Sequence, residues 1–231
     1  MAAARPENLP SQLILPLHTA PALGRADFIV GPGNAEAVAF IDSYPVWAAP
    51  AAALVGPPGS GKSHLTAAWA AASGAVVIEA SRLDERSAAA LAPGAPVAIE
   101  NVDAALDSGH EAAIFGLFNA GGPLLLTGRE APRDWPVLLP DLGSRYAALL
   151  AFTLWQPDDE LLASIAHKLF TDRQLDVPQT VIMRILRSVE RSPAAIRDFV
   201  ARADARALAE KRPITTALVS DMLAGDGGEL S

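Results

Sequence analysis

Residues 56–63 of this chain read Gly-Pro-Pro-Gly-Ser-Gly-Lys-Ser, which is the complete pattern G-x-x-x-x-G-K-[ST]. An apolar run at residues 51–55 precedes the pattern, and a helix-prone segment at residues 64–72 follows it. A chance match in a turn rich in glycine and proline is the alternative, but strand, loop and helix signals coincide here. The pattern therefore predicts a strand, an anion-binding loop and a helix, in that order.

The residue types in this loop suit a nucleoside di- or triphosphate. Glycines let successive backbone N–H groups turn inward around phosphates, and the positive end of the next helix points at the same anion. Lys62 supplies a mobile cation, and the Ser63 hydroxyl is a candidate ligand for Mg²⁺. We expect ADP or ATP, with Mg²⁺ as a candidate second ligand. The predicted contacts of this segment are Gly56, Pro57, Pro58, Gly59, Ser60, Gly61, Lys62, Ser63 and His64.

The composition is that of a globular protein without disulfide bonds. Hydrophobic residues form 51% of the 231 residues, enough for one α/β domain and a smaller unit. Proline, glycine or charge interrupts every apolar stretch before the roughly 18 residues that a membrane-spanning helix needs. Residues 1–10 contain no secretory apolar segment, and the absence of cysteine excludes thiolate metal sites. We expect a soluble, cytoplasmic protein with no membrane association.

The charge balance bears on nucleic-acid binding. There are 18 Lys and Arg residues against 26 Asp and Glu residues, a formal net charge of −8. Proteins that hold duplex DNA by displacing counterions carry the opposite sign on their binding face. The sequence therefore disfavours direct tight DNA binding.

The hydrophobic pattern predicts an α/β fold. Apolar runs at residues 51–55, 75–78, 96–99 and 124–127 are continuous rather than alternating, as in parallel strands buried on both faces. A fifth strand is predicted at residues 149–154. Among the helical stretches between them, the clearest opens with Ser108 and Glu111 as an S-x-x-E capping box and closes at Gly121. This alternation predicts a doubly wound parallel sheet of five strands.

After residue 155 the pattern becomes purely helical. Helices are predicted from residue 158 to about residue 173, from Pro178, from Ser192 as N-cap, and from Thr215 or Thr216. The predicted organisation is an extended tail at residues 1–20, a nucleotide-binding subdomain at 21–155, a small all-α bundle at 156–224 and a flexible tail at 225–231.

The third predicted strand ends in acidic and amide side chains that bear on hydrolysis. Glu100 stands where a P-loop protein holds Mg²⁺, and Asn101 stands where an ATPase has its catalytic carboxylate. Because an amide accepts no proton at neutral pH, we expect weak or no intrinsic hydrolysis. Asp103 would replace the base only if the chain turned sharply, and it otherwise caps the turn. Thr127, at the end of the fourth strand, either reaches a γ-phosphate or is simply a good strand former.

These segments, in this order, resemble the DnaA/Hda branch of the AAA+ ATPases of bacterial replication initiation. Residues 27–31 with Asn34 are similar to the branch's adenine-contacting segment, which includes Ile29 and Val30 here. Residues 139–145, Leu-Pro-Asp-Leu-Gly-Ser-Arg, resemble its L-P-D-L-x-S-R box, and residues 195–199 resemble its sensor-2 helix. Residues 99–103 are similar to the I-D-N-I-E of Hda, except that Glu100 replaces the first acid, which bears on Mg²⁺ coordination.

The resemblance implies roles for three further residues. It makes Arg145 an arginine finger that acts in trans, Arg197 a cation over the nucleotide phosphates, and Thr127 a sensor of the terminal phosphate. Without the family box, Arg145 would be interpreted as an ion-paired surface arginine. The alternative for Arg197 is a solvated or helix-pairing residue. The helical bundle corresponds to the lid of AAA+ proteins.

The N-terminal tail resembles a clamp-docking peptide of Hda-like proteins, with the form Q-L-x-L-P-L. The matching residues are Gln12, Leu13, Leu15, Pro16 and Leu17. A mobile peptide that buries leucines in a pocket and orders on binding suits such a role. A proline-kinked strand or a hydrophobic anchor onto the chain's own core is the alternative. We expect no helix-turn-helix domain of DnaA type after Leu223, which makes the expected resemblance one to Hda rather than to the initiator.

The predicted function follows from these resemblances. An Hda-like protein would bind ADP or ATP and the DNA-loaded β sliding clamp, and would stimulate hydrolysis of DnaA-bound ATP, which limits replication initiation. Its partners would be the clamp and DnaA, and a homodimer through Arg145 stays open. The alternatives are an autonomous AAA+ ATPase such as a helicase loader, a P-loop kinase of small metabolites, and an interaction module without nucleotide.

Overall fold

The computed structural model describes residues 23–104 and 107–226. The predicted tail at residues 1–20, with the clamp-docking residues Gln12, Leu13, Leu15, Pro16 and Leu17, lies outside these ranges. Side chains are described for the same ranges except at positions 108, 225 and 226.

A five-stranded, all-parallel sheet forms the centre of the first subdomain, which confirms the predicted fold class. The strand order is β2-β3-β4-β1-β5. The strands are β1 Ala51–Val55, β2 Val76–Glu79, β3 Val97–Glu100, β4 Leu124–Gly128 and β5 Leu150–Thr153. Because β1 lies between β4 and β5, the loop that follows it starts at the sheet's carboxyl edge and away from its two outer strands, where such folds bind ligands.

Helices alternate with the strands and then follow one another at the end of the chain. The helices of the sheet subdomain are α1 Ala35–Asp42, α2 Lys62–Ser73, α3 Glu85–Ala89, α4 Ser108–Ala120 and α5 Pro140–Ala147. Those of the lid are α6 Asp159–Thr171, α7 Gln179–Leu186, α8 Pro193–Glu210 and α9 Thr216–Asp226. The last helix thus extends two residues into the segment predicted as a flexible tail.

The sheet separates two apolar cores, and the lid has a third. Alternate residues of the central strands face opposite sides, so Ala53 and Ile99 pack with α4 and α5 while Leu54 and Ala98 pack with α1 and α2. The lid core is built around Phe170 and Phe199. The prediction that every strand is buried on both faces is wrong at the sheet edges, where Val76 and Val77 of β2 are 44% and 43% exposed.

The predicted capping box at Ser108 is also wrong. Asp107 is the N-cap of α4, and its carboxylate accepts hydrogen bonds from the N–H groups of Gly109 and His110. Glu111 is instead buried, and its two carboxylate oxygens accept the N–H groups of Leu138 and Leu139 at 2.8 Å each. The carboxylate that the pattern assigns to α4 therefore fastens the segment that leads into α5.

None of the helices in the described part of the chain is long and apolar enough to cross a membrane.

Candidate functional site

A cavity of ≈ 320 Å³ lies between the lid and the glycine-rich loop at residues 56–63. We call it the central cavity, and we call the loop, after its predicted role, the phosphate-binding loop. Its wall on the sheet side includes loop residues 58–63, His64, Asn101 and Arg129. The lid side includes Leu161, Ile165, Pro193, Ala194 and Arg197, and the chain before α1 adds Leu23, Asp27, Phe28, Ile29 and Asn34. Residues distant in sequence thus converge at the carboxyl edge of the sheet.

Glycines permit the close approaches that shape the loop. Gly56 has φ +149°, and a Cβ atom there would lie 2.2 Å from the carbonyl oxygen of Leu154. Gly61, the N-cap of α2, has φ +102°, and a Cβ atom there would lie 3.0 Å from the ring of Phe28. Both conformations are unfavourable for other residues. The first and last glycines of the pattern are therefore required by the backbone path itself.

Lys62 lies at the floor of the cavity and is only 8% exposed. Its Nζ donates hydrogen bonds to the carbonyl oxygens of Gly56, at 2.7 Å, and Pro57, at 3.0 Å. Burial is the main effect on Lys62, and it lowers the pKa. The negative charges of Asp103 and Glu100 raise the pKa, and the positive charge of Arg129 lowers it. Gly56 and Pro57 do not line the cavity themselves, but their carbonyl oxygens hold the side chain of Lys62, which does.

The end of β3 is joined to its neighbours through Asn101. This residue has a left-handed backbone, φ 58°, and its N–H donates to Thr127 Oγ1 at 3.1 Å. Its side-chain amide donates to Glu79 Oε1, at the end of β2, at 2.8 Å. Thr127 is 1% exposed and is not among the residues lining the cavity. Asn101 therefore faces the cavity, while Thr127 supports its backbone.

Asp103 joins β3 to the end of β4. Its Oδ2 accepts a hydrogen bond of 2.8 Å from the backbone N–H of Arg129. The negative charge of this carboxylate raises the pKa of Lys62. The interaction spans 26 residues of sequence.

The two predicted Mg²⁺ ligands differ in position. Ser63 lines the cavity and is exposed. Glu100 does not line it, but its Oε1 is a buried oxygen without a hydrogen-bond partner among the described residues. Hydroxyl and carboxylate oxygens are ligands that Mg²⁺ prefers. Both side chains therefore offer suitable oxygens, but only that of Ser63 lines the cavity.

The segment before α1 forms the wall beside α2. Asn34 fixes its turn, because Oδ1 accepts the N–H of Gly31 at 2.9 Å and Nδ2 donates to the carbonyl of Ile29 at 3.1 Å. Ile29 lines the cavity, whereas Val30 is 48% exposed and does not. Of the two predicted base-contacting residues, the structure therefore brings only Ile29 to the cavity.

His64 connects this wall to α2. Its Nε2 lies 3.1 Å from the carbonyl oxygen of Gly24, so this nitrogen carries the proton, and its ring meets that of Phe28 edge-on at 5.1 Å. Burial lowers the pKa of His64, and the charge of Arg197 lowers it further against the raising effect of the Gly24 hydrogen bond. The histidine is thus held in its neutral form as part of the wall.

The lid meets the sheet subdomain on both sides of the cavity. Ser192, the N-cap of α8, lies 3.1 Å from a Cβ position at Gly59 of the loop. Lys168 of α6 pairs with Asp27 at 3.2 Å. Arg197, on the first turns of α8, is half-buried and lines the cavity. These contacts set the width of the cavity.

Arg145 lies away from the central cavity, on α5. It is exposed, its Nη2 donates to Asn119 Oδ1 at 3.2 Å, and its guanidinium lies 5.9 Å and 6.0 Å from the ring centroids of Phe115 and Phe118. The structure therefore does not bring Arg145 together with Lys62 and Arg197.

Several residues that line the cavity were not predicted from the sequence, and one of them is the charged residue Arg129. Its position directly after a predicted parallel strand could have indicated a place at the site, since the carboxyl ends of such strands share one edge of the sheet. Leu161, Ile165 and Pro157 gave no signal, because apolar lid residues that face a ligand resemble those that face a core.

No family model matches this sequence. No curated protein matches it either. Solved structures do resemble it. Domain III of the Thermotoga maritima replication initiation protein DnaA has a TM-score of 0.73 at 18% identity, over 90% of this chain and 97% of that one.

Two longer proteins share the fold. DnaA from Aquifex aeolicus, bound to AMPPCP, has a TM-score of 0.67 at 16% identity, over 80% of this chain and 66% of that one. The Thermotoga maritima RuvB Holliday junction branch migration motor has a TM-score of 0.62 at 19% identity, over 75% of this chain and 60% of that one. At these identities the likeness establishes that the chain shares the fold of these DnaA and RuvB structures.

Proposed function

We propose that this chain is an Hda-like regulator of replication initiation, which holds ADP or ATP in the central cavity as a structural ligand. The observation that carries the proposal is the convergence of Lys62, Ser63 and Arg197 on one cavity between loop and lid. The AMPPCP-bound DnaA of the same fold supports a nucleotide as the ligand.

Each of these residues has a defined task in the proposal. The loop N–H groups and the start of α2 bind the phosphates, and Lys62 leaves its carbonyl partners to neutralise them. Arg197 brings a second cation from the lid, so the phosphates hold the lid against the loop. Ser63 and Glu100 would supply the protein oxygens for a bound Mg²⁺, which would add positive charge to help neutralise the phosphates.

The nucleotide is proposed to persist rather than to turn over. Asn101 occupies the cavity wall where a base for the attacking water would stand, and its amide accepts no proton at neutral pH. A bound nucleotide then acts by shifting the population of lid positions. ADP is the simplest persistent ligand.

Arg145 is proposed to act on a partner's nucleotide. It is exposed, lies outside its own cavity, and is held by one hydrogen bond and two weak ring contacts that are easily released. Inserted beside ATP on DnaA, a guanidinium stabilises the charge that develops on the transferred phosphoryl group, an effect of about 10³ to 10⁵ in rate for known arginine fingers. Docking of residues 12–17 on the sliding clamp would bring the protein to replicated DNA.

The test is ATP hydrolysis by DnaA in the presence of DNA-loaded clamp and this protein. Replacing Arg145 with Ala should abolish the stimulation while leaving ADP and clamp binding unchanged. Arg133→Ala removes an exposed arginine of the same subdomain, 78% exposed, and should retain it. Stimulation retained by Arg145→Ala would exclude this residue as the finger.

A second variant tests the docking peptide. Gln12→Ala combined with Leu15→Ala should lose clamp binding in a pull-down, with nucleotide binding intact. If the wild-type protein does not bind the clamp, the Hda-like proposal falls.

An autonomous ATPase, such as a helicase loader, is favoured by a different observation. The Glu79 carboxylate accepts a hydrogen bond of 2.8 Å from the side-chain amide of Asn101, so a carboxylate lies next to the cavity wall and would serve as the base by taking a proton directly from the attacking water. This alternative requires ATP turnover by the isolated protein, lost in Glu79→Gln. Absence of turnover in the wild type would exclude it.

A further inference from the structure

Arg129 is the third cationic side chain in the wall of the central cavity, after Lys62 and Arg197. It follows β4 directly and is exposed. Within residues 23–104 and 107–226, its guanidinium has no hydrogen-bond or ion-pair partner. Five N–H donors in a planar fork are thus available at the cavity to an anion of matching shape.

The backbone that carries Arg129 is fixed from two sides. Its own N–H donates to Asp103 at 2.8 Å, and the preceding carbonyl, of Gly128, accepts the N–H of Gly56 at 3.2 Å. Gly56 is the first residue of the phosphate-binding loop. The backbone of Arg129 therefore belongs to a fixed turn that contacts the loop, so only its side chain has to be ordered when it binds an anion.

Trp135 also contacts the turn that carries Arg129. The indole of Trp135 packs on Gly128, and its Nε1 donates to the carbonyl of Glu130 at 2.8 Å. Arg129 is thus flanked on both sides by residues with fixed positions.

Arg129 and Lys62 line the same cavity as residues 58–63 of the loop. Burial is the main cause that lowers the pKa of Lys62, and the positive charge of Arg129 lowers it further. Two neighbouring cations repel each other unless they share an anion. A phosphate between them converts this repulsion into two favourable contacts, and the guanidinium can bind it through two parallel hydrogen bonds.

We propose that Arg129 is a phosphate-binding residue of the central cavity, and that it supplies enough positive charge at the terminal phosphate for a nucleotide to stay bound without Mg²⁺. The inference rests on the proposed nucleotide binding and deepens it. Of the two Mg²⁺ ligands suggested by the sequence, only Ser63 lines the cavity, whereas Arg129 lines it with a permanent charge.

The test is titration of fluorescent ADP and ATP into the full chain, once with Mg²⁺ and once with EDTA. Wild type, Arg129→Ala, Arg129→Lys and the control Arg133→Ala are compared. In EDTA, Arg129→Ala should weaken ATP binding about tenfold to a hundredfold, the loss of one charged hydrogen-bonding contact. The loss should be smaller with Mg²⁺, Arg129→Lys should be intermediate, and Arg133→Ala should match wild type.

Each contrary result has a distinct meaning. Equal affinity of Arg129→Ala and wild type in EDTA overturns the inference and leaves the proposed function standing. A similar loss in Arg133→Ala also overturns it, since general surface charge would then explain the effect. A wild type that binds neither nucleotide removes the proposed function itself. The melting temperatures of the variants without nucleotide should match wild type, because the guanidinium has no partner among the described residues.

Discussion

Gly128 leaves no space for a side chain, because a Cβ atom there would lie 2.7 Å from Nε1 and 2.8 Å from Cε2 of Trp135. Trp135 is 3% exposed and is fixed by its hydrogen bond to Glu130, so the indole cannot move aside cheaply. One hydrogen atom at position 128 therefore lets β4 end beside the phosphate-binding loop.

Replacing Gly128 with Ala should lower the free energy of unfolding by about 1–3 kcal/mol, the usual penalty for overpacking a filled site. Gly116 is the matched control, since it is exposed within α4 and nothing lies within 4 Å of its Cβ position. Gly116→Ala should raise the free energy of unfolding by about 0.5–1 kcal/mol, because alanine loses less backbone entropy in a helix. Urea denaturation measures both changes, and equal signs would contradict the packing argument.

At the residue scale, the sequence predicts those functional residues whose positions are set by their immediate neighbours in the chain. The loop pattern identifies Lys62 and Ser63, since its spacing is local. The bond between Asp103 and the N–H of Arg129 joins residues 26 positions apart, and no periodicity encodes it. The same holds for the bond from Asn101 to Glu79, which depends on β2 lying beside β3.

The start of α4 shows the same limit for a whole element. Ser108 and Glu111 match a capping box, and the helix does begin at Ser108. The carboxylate of Glu111 is nevertheless used by Leu138 and Leu139, 27 and 28 residues away, and Asp107 caps the helix. The local pattern therefore predicts the element correctly and its cap wrongly, because a tertiary partner competes for the same carboxylate.

The identity of this cap is testable. Asp107→Ala should lower the free energy of unfolding by about 1 kcal/mol, since two N–H groups lose their acceptor. Ser108→Ala changes the first helical residue and should alter it by less than about 0.5 kcal/mol. Thermal unfolding of the two variants gives the comparison, and a larger loss for Ser108→Ala would restore the capping box.

At the scale of the molecule, the lid and the sheet subdomain have separate cores. Phe170 and Phe199 lie at the centre of the lid core, and the sheet cores contain no residue of α6–α9. The contacts that join the halves beside the cavity include Ser192 with Gly59, Lys168 with Asp27 and Leu161 with Gly31. A ligand that contacts both halves would therefore couple their unfolding.

Tryptophan fluorescence can follow one half alone. All four tryptophans, Trp47, Trp69, Trp135 and Trp155, precede α6, whereas circular dichroism reports the helices of both halves. Without nucleotide, we expect different unfolding midpoints for the two signals. Saturating ADP should raise both midpoints and bring them together. At a free ADP concentration of about 100 times Kd, the free energy of unfolding should rise by about 2.7 kcal/mol.

Arg197→Ala should reduce this convergence, because it removes the lid cation from the cavity. Arg184→Ala, an exposed arginine of α7 outside the cavity wall, is the control and should behave as wild type. Coincident midpoints without nucleotide would show that the two cores already unfold as one unit.

Ser192 combines two duties in one residue. Its hydroxyl caps α8 by accepting the N–H of Ala195, and its Cβ rests against Gly59. A substitution at position 192 would disturb both the start of α8 and the contact between the lid and the loop. We therefore expect substitutions at this position to be rare. The Asp27–Lys168 pair on the other side is partly exposed and contributes little to stability. We therefore expect related proteins to vary at Asp27 and Lys168 more than at Ser192, and any difference in lid angle to arise at this pair.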